Sequence, residues 1–283
     1  MKVKNNMKVR YLGTAASEGF PAVFCNCEYC QTARKTGEFR TRSQVLIEEN
    51  LLIDFPPETY LHAVTGKIDL SAITCLLVTH SHTDHFYAQE FVNRGYKFAY
   101  GLSEKTLNIY GNKAVKEVYI EGTYREIKPE VAENIVFNEI SPFYKFECSG
   151  YEIHALPACH GNKEDALVYF IKKGNKGILH LNDTGLLKEE VYSYLKDNSL
   201  QADLINFDCT LADRAEKHSG RHMNIYENLT VLENLKKCGA VKKNAKLVLT
   251  HLAHHTAPFQ ERMDALAKEY GFIAAYDGML LDI

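Results

Sequence analysis

Four metal-ligand side chains fall within six positions, His80, His82, Asp84 and His85, in the run LLVTHSHTDH over 76–85. Imidazole and carboxylate together suit zinc, manganese or iron, and without a thiolate the choice among them stays open. Two histidines two apart face one ion when the segment is extended or looped, and Asp84 and His85 then turn to a neighbouring ion. A lone histidine reads best as a satisfied core or surface residue; a cluster this dense does not. A metal lowers the pKa of bound water from about 15.7 to about 7, and two ions roughly 3.5–4 Å apart hold the resulting hydroxide and clamp the substrate's oxygens. Phosphodiesters and acyl compounds both fit such chemistry, and Asp84 is also a candidate to orient the nucleophile.

Cys25, Cys27 and Cys30 form a second cluster, three thiols within six residues. Structural zinc takes four ligands, commonly three cysteines and a histidine, so a remote fourth is expected. His254 is the choice and His255 the spare. The N-terminal run MKVKNNMKVRYLG has basic residues but no apolar segment of a signal peptide, so a cytoplasmic location is expected. There the eight cysteines stay reduced, which favours metal over disulfides at a cluster.

The elements that must position these residues are partly readable. Leu76–Val78 is a buried strand, and a strand that stops in such a cluster holds its ligands on a rigid end. Lys8–Thr14 reads as a first strand, residues 15–41 as irregular, and 43–55 as a hairpin ending at Asp54. A short helix follows over Glu58–Val64. Residues 86–140 show no clear period. Further strands end near His160, at Asp183, Asp208 and His251, with a hairpin over 167–185 and helices at Leu186–Asn198, Asn224–Lys237 and Pro258–Tyr270. Asn224 and Glu227 form a capping box, and one last strand closes the chain. Frequent hairpins without strict βαβ alternation favour two stacked mixed sheets with helices outside. The near-repeat of LLVTH (76–80) as LVLTH (247–251) hints at two pseudo-symmetric halves.

Length and composition fit this picture. The 283 residues suit one large α/β domain or two small ones, and 46% hydrophobic residues provide a real core. A net charge of −3 gives no electrostatic footprint for nucleic acid, and Lys236, Lys237, Lys242, Lys243 and Lys246 read as a solvated face. No apolar run is long enough for a membrane span.

HSHTDH matches the signature of the metallo-β-lactamase superfamily, and the chain resembles that family from residue 8 onward, with a poorly matched middle from about 86 to 145. The resemblance implies an αββα four-layer sandwich, a single domain over 1–283 with a zinc loop at about 15–41. It implies a dinuclear centre, with His80, His82 and His160 on one divalent ion, Asp84, His85 and His251 on the other, and Asp183 bridging. The ions would be zinc or manganese, with iron as a further candidate, and His82 in place of a carboxylate argues for hydrolysis rather than redox chemistry. LGTAASEGFPAVFCNCEYC resembles the N-terminus of the PhnP-like cyclic phosphodiesterases and of PqqB-like proteins, both of which carry a structural zinc. In the PhnP-like group a histidine three beyond the last active-site ligand completes that zinc, which corresponds to His251 and His254. PqqB-like proteins depart from the HxHxDH signature that this chain keeps.

The resemblance therefore implies a phosphodiesterase acting on a small diester, cyclic diesters included, with no membrane partner, no large nucleic acid and a homodimeric assembly. A ribonuclease Z-like nuclease is the enzyme alternative, though the basic RNA-gripping arm of that group is not evident. A PqqB-like carrier with a non-catalytic site is the alternative of another class. His222, in SGRHMNIYENL, corresponds to a family histidine that contacts phosphate and protonates the leaving oxygen, and the helix N-terminus beside it would favour an anion. Arg221 reads as an exposed arginine. Asp54 and Asp208 are expected to orient metal-bound histidines from behind, with Asp277 a weaker candidate. Phe86 and Tyr87 are expected in the pocket wall. His62, His154, His180 and His218, and Cys75, Cys148, Cys159, Cys209 and Cys238, read as structural residues.

Overall fold

The computed structural model describes residues 6–161, 163–215 and 220–283. In chain order the elements are β1 (Lys8–Gly13), α1 (Glu28–Thr36), β2 (Gln44–Ile47), β3 (Leu51–Ile53), α2 (Thr59–Val64), β4 (Cys75–Leu77), β5 (Leu107–Gly111), α3 (Lys113–Thr123), α4 (Pro129–Ala132) and β6 (Ile135–Glu139). The second half continues with β7 (Lys145–Cys148), β8 (Tyr151–Pro157), β9 (Leu167–Lys173), β10 (Lys176–Leu181), α5 (Glu189–Asp197), β11 (Ala202–Asp208), α6 (Ile225–Lys237), β12 (Val241–Thr250), α7 (Gln260–Tyr270), β13 (Ile273–Ala274) and β14 (Leu280–Asp282). The strands form two seven-stranded mixed sheets, ordered β14-β1-β2-β3-β4-β5-β6 and β13-β12-β11-β10-β9-β8-β7.

Strand periodicity explains the layers. Successive side chains on a strand point to opposite faces. Leu51 and Ile53 of β3 join the core between the sheets, with Leu77, Tyr169 and Ile178, while Leu52 between them joins the outer core under α3 and α4 with Leu76 and Val115. On the far side Leu179, Phe207 and Leu249 pack against Val191, Val231 and Met263 of α5, α6 and α7. Both faces of each sheet are covered, which is why the central strands read as unbroken apolar runs. The arrangement is the expected αββα sandwich.

Three sequence expectations change. Residues 15–41 contain a helix, α1, which starts within the cysteine cluster and ends at Gly37 in the left-handed region, φ 76°. It buries only Cys30 and Ala33, too little for an apolar period. The closing segment is two strands in different sheets, β13 parallel to β12 and β14 antiparallel to β1. The stretch after His85 forms a short 3₁₀ turn over Ala88–Asn93, then β5, α3, α4 and β6, and completes sheet one with its cover. The capping box of Asn224 and Glu227 is present at the start of α6.

Candidate metal centre

The expected ligands converge at one end of the sandwich, where the parallel strands of both sheets stop. β4 delivers His80, β8 leads to His160, β10 to Asp183 and β12 to His251, while β11 ends at Asp208. His80, His82, His160 and Asp183 each place a ligand atom within 4.8 Å of the others. Asp84, His85, Asp183 and His251 do the same, so Asp183 belongs to both groups. Nε2 of His80 lies 3.0 Å from Nδ1 of His82, and Nε2 of His85 lies 3.3 Å from Nε2 of His251. Asp183 Oδ2 is 3.3 Å from both His80 Nε2 and His85 Nε2.

These residues fit divalent ions on a structural ground of their own. Asp183 Oδ1 and His160 Nδ1 lie 2.6 Å apart, yet both are buried without a hydrogen bond. A buried polar atom left unpaired is costly and calls for a partner. Nitrogens packed against nitrogens at 3.0 Å share one proton at most, so lone pairs face a common space.

The outer nitrogens are tied from behind, which fixes the rings. His85 Nδ1 meets Asp54 Oδ2 at 2.6 Å, and Asp54 Oδ1 accepts the Thr79 N–H at 2.8 Å. His80 Nδ1 meets the Thr79 hydroxyl at 3.1 Å, and His251 Nδ1 the Thr210 hydroxyl at 2.7 Å. Asp208 Oδ2 lies 3.1 Å from His222 Nδ1 and 3.6 Å from His251 Nδ1. Asp54, Asp183 and His251 hold φ of 64°, 53° and 60°, the left-handed region that non-glycine residues enter at a cost.

Electrostatics follow from this packing. Burial holds His80 and His251 well toward the neutral, ligating form. Burial works against a charge on His85, but Asp84 and Asp54 outweigh it and raise its pKa. The same balance, burial against Asp208 and Asp183, pushes His222 up to about 11. Positive charge is favoured where these carboxylates meet, the condition a cation also satisfies.

A cleft of about 510 Å³ opens over the centre, lined in part by His82, Asp84, Arg221 and His222. His222 Nδ1 is 2.9 Å from Asp183 Oδ1, which places the ring within reach of both ligand groups. The helix N-terminus beside it is not an open anion site. Met223 N–H goes to Asp208, Ile225 N–H to Ala212, and the Asn224 and Glu227 N–H groups close the capping box. Phe86 is not in the cleft; it is 1% exposed and packs on Phe91 in the outer core. Tyr87 is likewise absent from the cleft lining. Asp277 bonds Thr14 and Thr41 and ties β1 to the following loop instead of backing a ligand.

The cysteine cluster lies beside the cleft. Cys25, Cys27, Cys30 and His254 bring ligand atoms within 4.8 Å of one another, and His255 is not in that group. Sulfurs accept backbone donors, Ala22 N–H to Cys30 at 3.3 Å and Cys27 N–H to Cys25 at 3.4 Å. The backbone N–H of Cys30 lowers Cys27 to about 7, toward the thiolate a metal needs. Glu18 fixes His254 through Nδ1 at 2.7 Å and its backbone N–H at 2.9 Å. Thr79, Thr210, Glu18 and Glu164 were not singled out in the sequence. Thr79 had a signal, since it directly precedes His80 in the run that ends the strand; the others lie in loops without one. His62 is held by Thr41 and Gln44, His154 by Tyr194 and Glu152, and His180 by Asn206, while His218 lies outside the described residues.

A family model described as a β-lactamase superfamily domain matches residues 50–252. The chain belongs to the metallo-β-lactamase superfamily. Among solved structures of that fold it is similar to a diphosphatase of the PhnP family, TM-score 0.71 at 20% identity, over 98% of this chain and 97% of the other. It is equally similar to Zn²⁺-bound PqqB from Methylobacterium extorquens, TM-score 0.71 at 17% identity, over 98% and 100%. Among curated proteins, an octanoyltransferase of Porphyromonas gingivalis is 24% identical over 96% of this chain, and the chain spans about half, 51%, of its length. A ribonuclease Z of Listeria welshimeri is 24% identical over 71% of this chain and 78% of its own. No helix among the described residues is long and apolar enough to cross a membrane.

Proposed function

We propose that the chain hydrolyses a small phosphodiester, cyclic diesters included. The observation that carries this reading is His222, which reaches the shared Asp183 from the cleft side while Asp208 backs it. His80, His82, His160 and Asp183 would hold one divalent ion, and Asp84, His85, Asp183 and His251 the other. Ions held there supply Lewis acidity and hydroxide at neutral pH, lowering the pKa of water from about 15.7 to about 7.

The chain's own residues do the rest. Asp84, below the usual carboxylate range because His85 outweighs its burial, stays an acceptor able to orient the attacking water. His222 carries a proton that it can give to the leaving oxygen. With Asp183 engaged by ions, Asp208 still holds the Nδ1 proton, which leaves the Nε2 proton as the one to transfer. Arg221, exposed at the cleft, adds positive charge for the phosphate. Cys25, Cys27, Cys30 and His254 would hold a structural zinc that braces the loop after β1 against the one after β12.

Ribonuclease Z relatives favour a second reading, an RNA phosphodiester, which uses the same chemistry. The test is turnover by protein reconstituted with Zn²⁺ or Mn²⁺. Bis-p-nitrophenyl phosphate and 2′,3′-cyclic nucleotides should be cleaved, and a precursor tRNA and p-nitrophenyl octanoate should not. Cleavage of the tRNA alone would replace the first reading with the second, and no diester turnover with either metal would sink both.

A further inference from the structure

Glu164 lies in the loop between β8 and β9 of sheet two, yet its carboxylate is committed to sheet one. Oε2 accepts the Ser81 N–H at 3.0 Å and Asn112 Nδ2 at 2.8 Å, and Oε1 accepts the Ser81 hydroxyl at 2.7 Å. Ser81 is the residue between His80 and His82. Asn112 is itself fixed, because its Oδ1 caps α3 by accepting the Val115 N–H at 3.0 Å and its Nδ2 also donates to the Asp165 carbonyl at 3.0 Å. Two N–H donors share Oε2 and a hydroxyl meets Oε1; a carboxylate accepts all three, whereas an amide keeps the two N–H groups on its oxygen only by reversing the Ser81 hydroxyl.

Three of the other ligand rings have anchors from outside the ligand groups, while the ring nitrogens of His160 meet His82 and Asp183. His85 has Asp54, and His80 and His251 have threonine hydroxyls. His82 is the exposed member of its group, and its ring nitrogen meets fellow ligands, His80 and His160. We propose that Glu164 is the positioning residue of this ligand arm. By clamping Ser81 to the capped start of α3, it sets the backbone from which His82 is aimed at His160 and Asp183. The inference rests on the reading that these residues hold an ion.

Zn²⁺ titration against a competing chelator tests it in wild type, Glu164→Ala, Glu164→Gln and Asn112→Asp. Asn112→Asp keeps a capping oxygen for α3 but sets an acceptor against Glu164. Glu164→Ala and Asn112→Asp should weaken one of the bound zinc ions by about 10–100-fold, and Glu164→Gln, which keeps an acceptor for both N–H groups, should be less affected. The remaining ions should keep wild-type affinity, and thermal unfolding of chelator-treated protein should move by no more than a few degrees. Wild-type affinity in Glu164→Ala and Asn112→Asp overturns the inference, as does equal weakening of every ion with a large loss of chelator-treated stability. A wild type that takes up no zinc at its histidines overturns the ligand reading and the inference with it.

Discussion

Each sheet runs through the same series of pairings, three antiparallel and then three parallel, and the loop after the fourth strand carries an aspartate in the left-handed region. In sheet one this is Asp54 after β3; in sheet two it is Asp183 after β10. Asp54 turns its carboxylate back onto Thr79 and His85 and is 1% exposed. Asp183 faces forward, into both ligand groups, with Oδ1 close to His160 and His222 but aligned for a hydrogen bond with neither. The next strand repeats the contrast, because β4 leads to the enclosed His80 and β11 ends at Asp208, which backs the cleft-facing His222. The matched positions thus divide the work: after the fourth strand one aspartate holds a ligand ring from behind and the other faces the ligand groups, although each half also has a threonine behind a ligand ring, Thr79 in one and Thr210 in the other.

That division can be broken in graded steps. Asp183→Ala removes the residue common to both groups and should cost the most, about 10⁴-fold or more in kcat/KM, with both ions lost in elemental analysis. Retention of both would show that Asp183 is not shared. His222→Ala, beside the forward-facing aspartate, should lower kcat by about 10²–10⁴-fold while metal content stays at the wild-type value; loss of metal would move His222 into the ligand set. Asp54→Asn, at the holding aspartate itself, should do the reverse, weakening one ion by about 10–100-fold, with kcat near wild type at saturating metal. An unchanged zinc affinity would remove Asp54 from its supporting role.

A further effect, on stability instead of metal or turnover, lies away from the centre, at His62. Burial, with Lys67 adding to it, lowers its pKa to about 4. The unfolded chain therefore takes up a proton near pH 6.5 that the folded chain refuses until about 4. Its contribution is intact above 6.5 and lost as pH falls through that window, on the order of 3 kcal/mol. Denaturant unfolding of wild type and His62→Gln between pH 7 and 4 should show a shallower decline in the variant; parallel curves would place the acid sensitivity elsewhere.

The ligand residues were legible because their side-chain types are rare at such density and follow apolar strands. Their supports were less so, since a threonine or glutamate in a loop looks the same whether or not it grips a ligand. The phrase shared by residues 76–80 and 247–251 pointed to two halves and misplaced them. The pairing order matches β4 with β11, whereas LVLTH ends β12. Local similarity recorded the common need to end a buried strand in a ligand, not the correspondence of strands. Residues 86–140 hid their fold for a different reason: they form the last two strands of sheet one and its outer cover, where Tyr119 and Phe137 stack on each other half-buried and blur the contrast that a period needs.

The three left-handed residues, Asp54, Asp183 and His251, sit where glycine would rest more comfortably. Asp54 offsets that cost within the fold, since its carboxylate accepts the Thr79 N–H and holds His85. Asp183 commits its side chain to the ligand groups instead, so sequences enriched for endurance and sequences enriched for catalysis should diverge at codon 183 before codon 54.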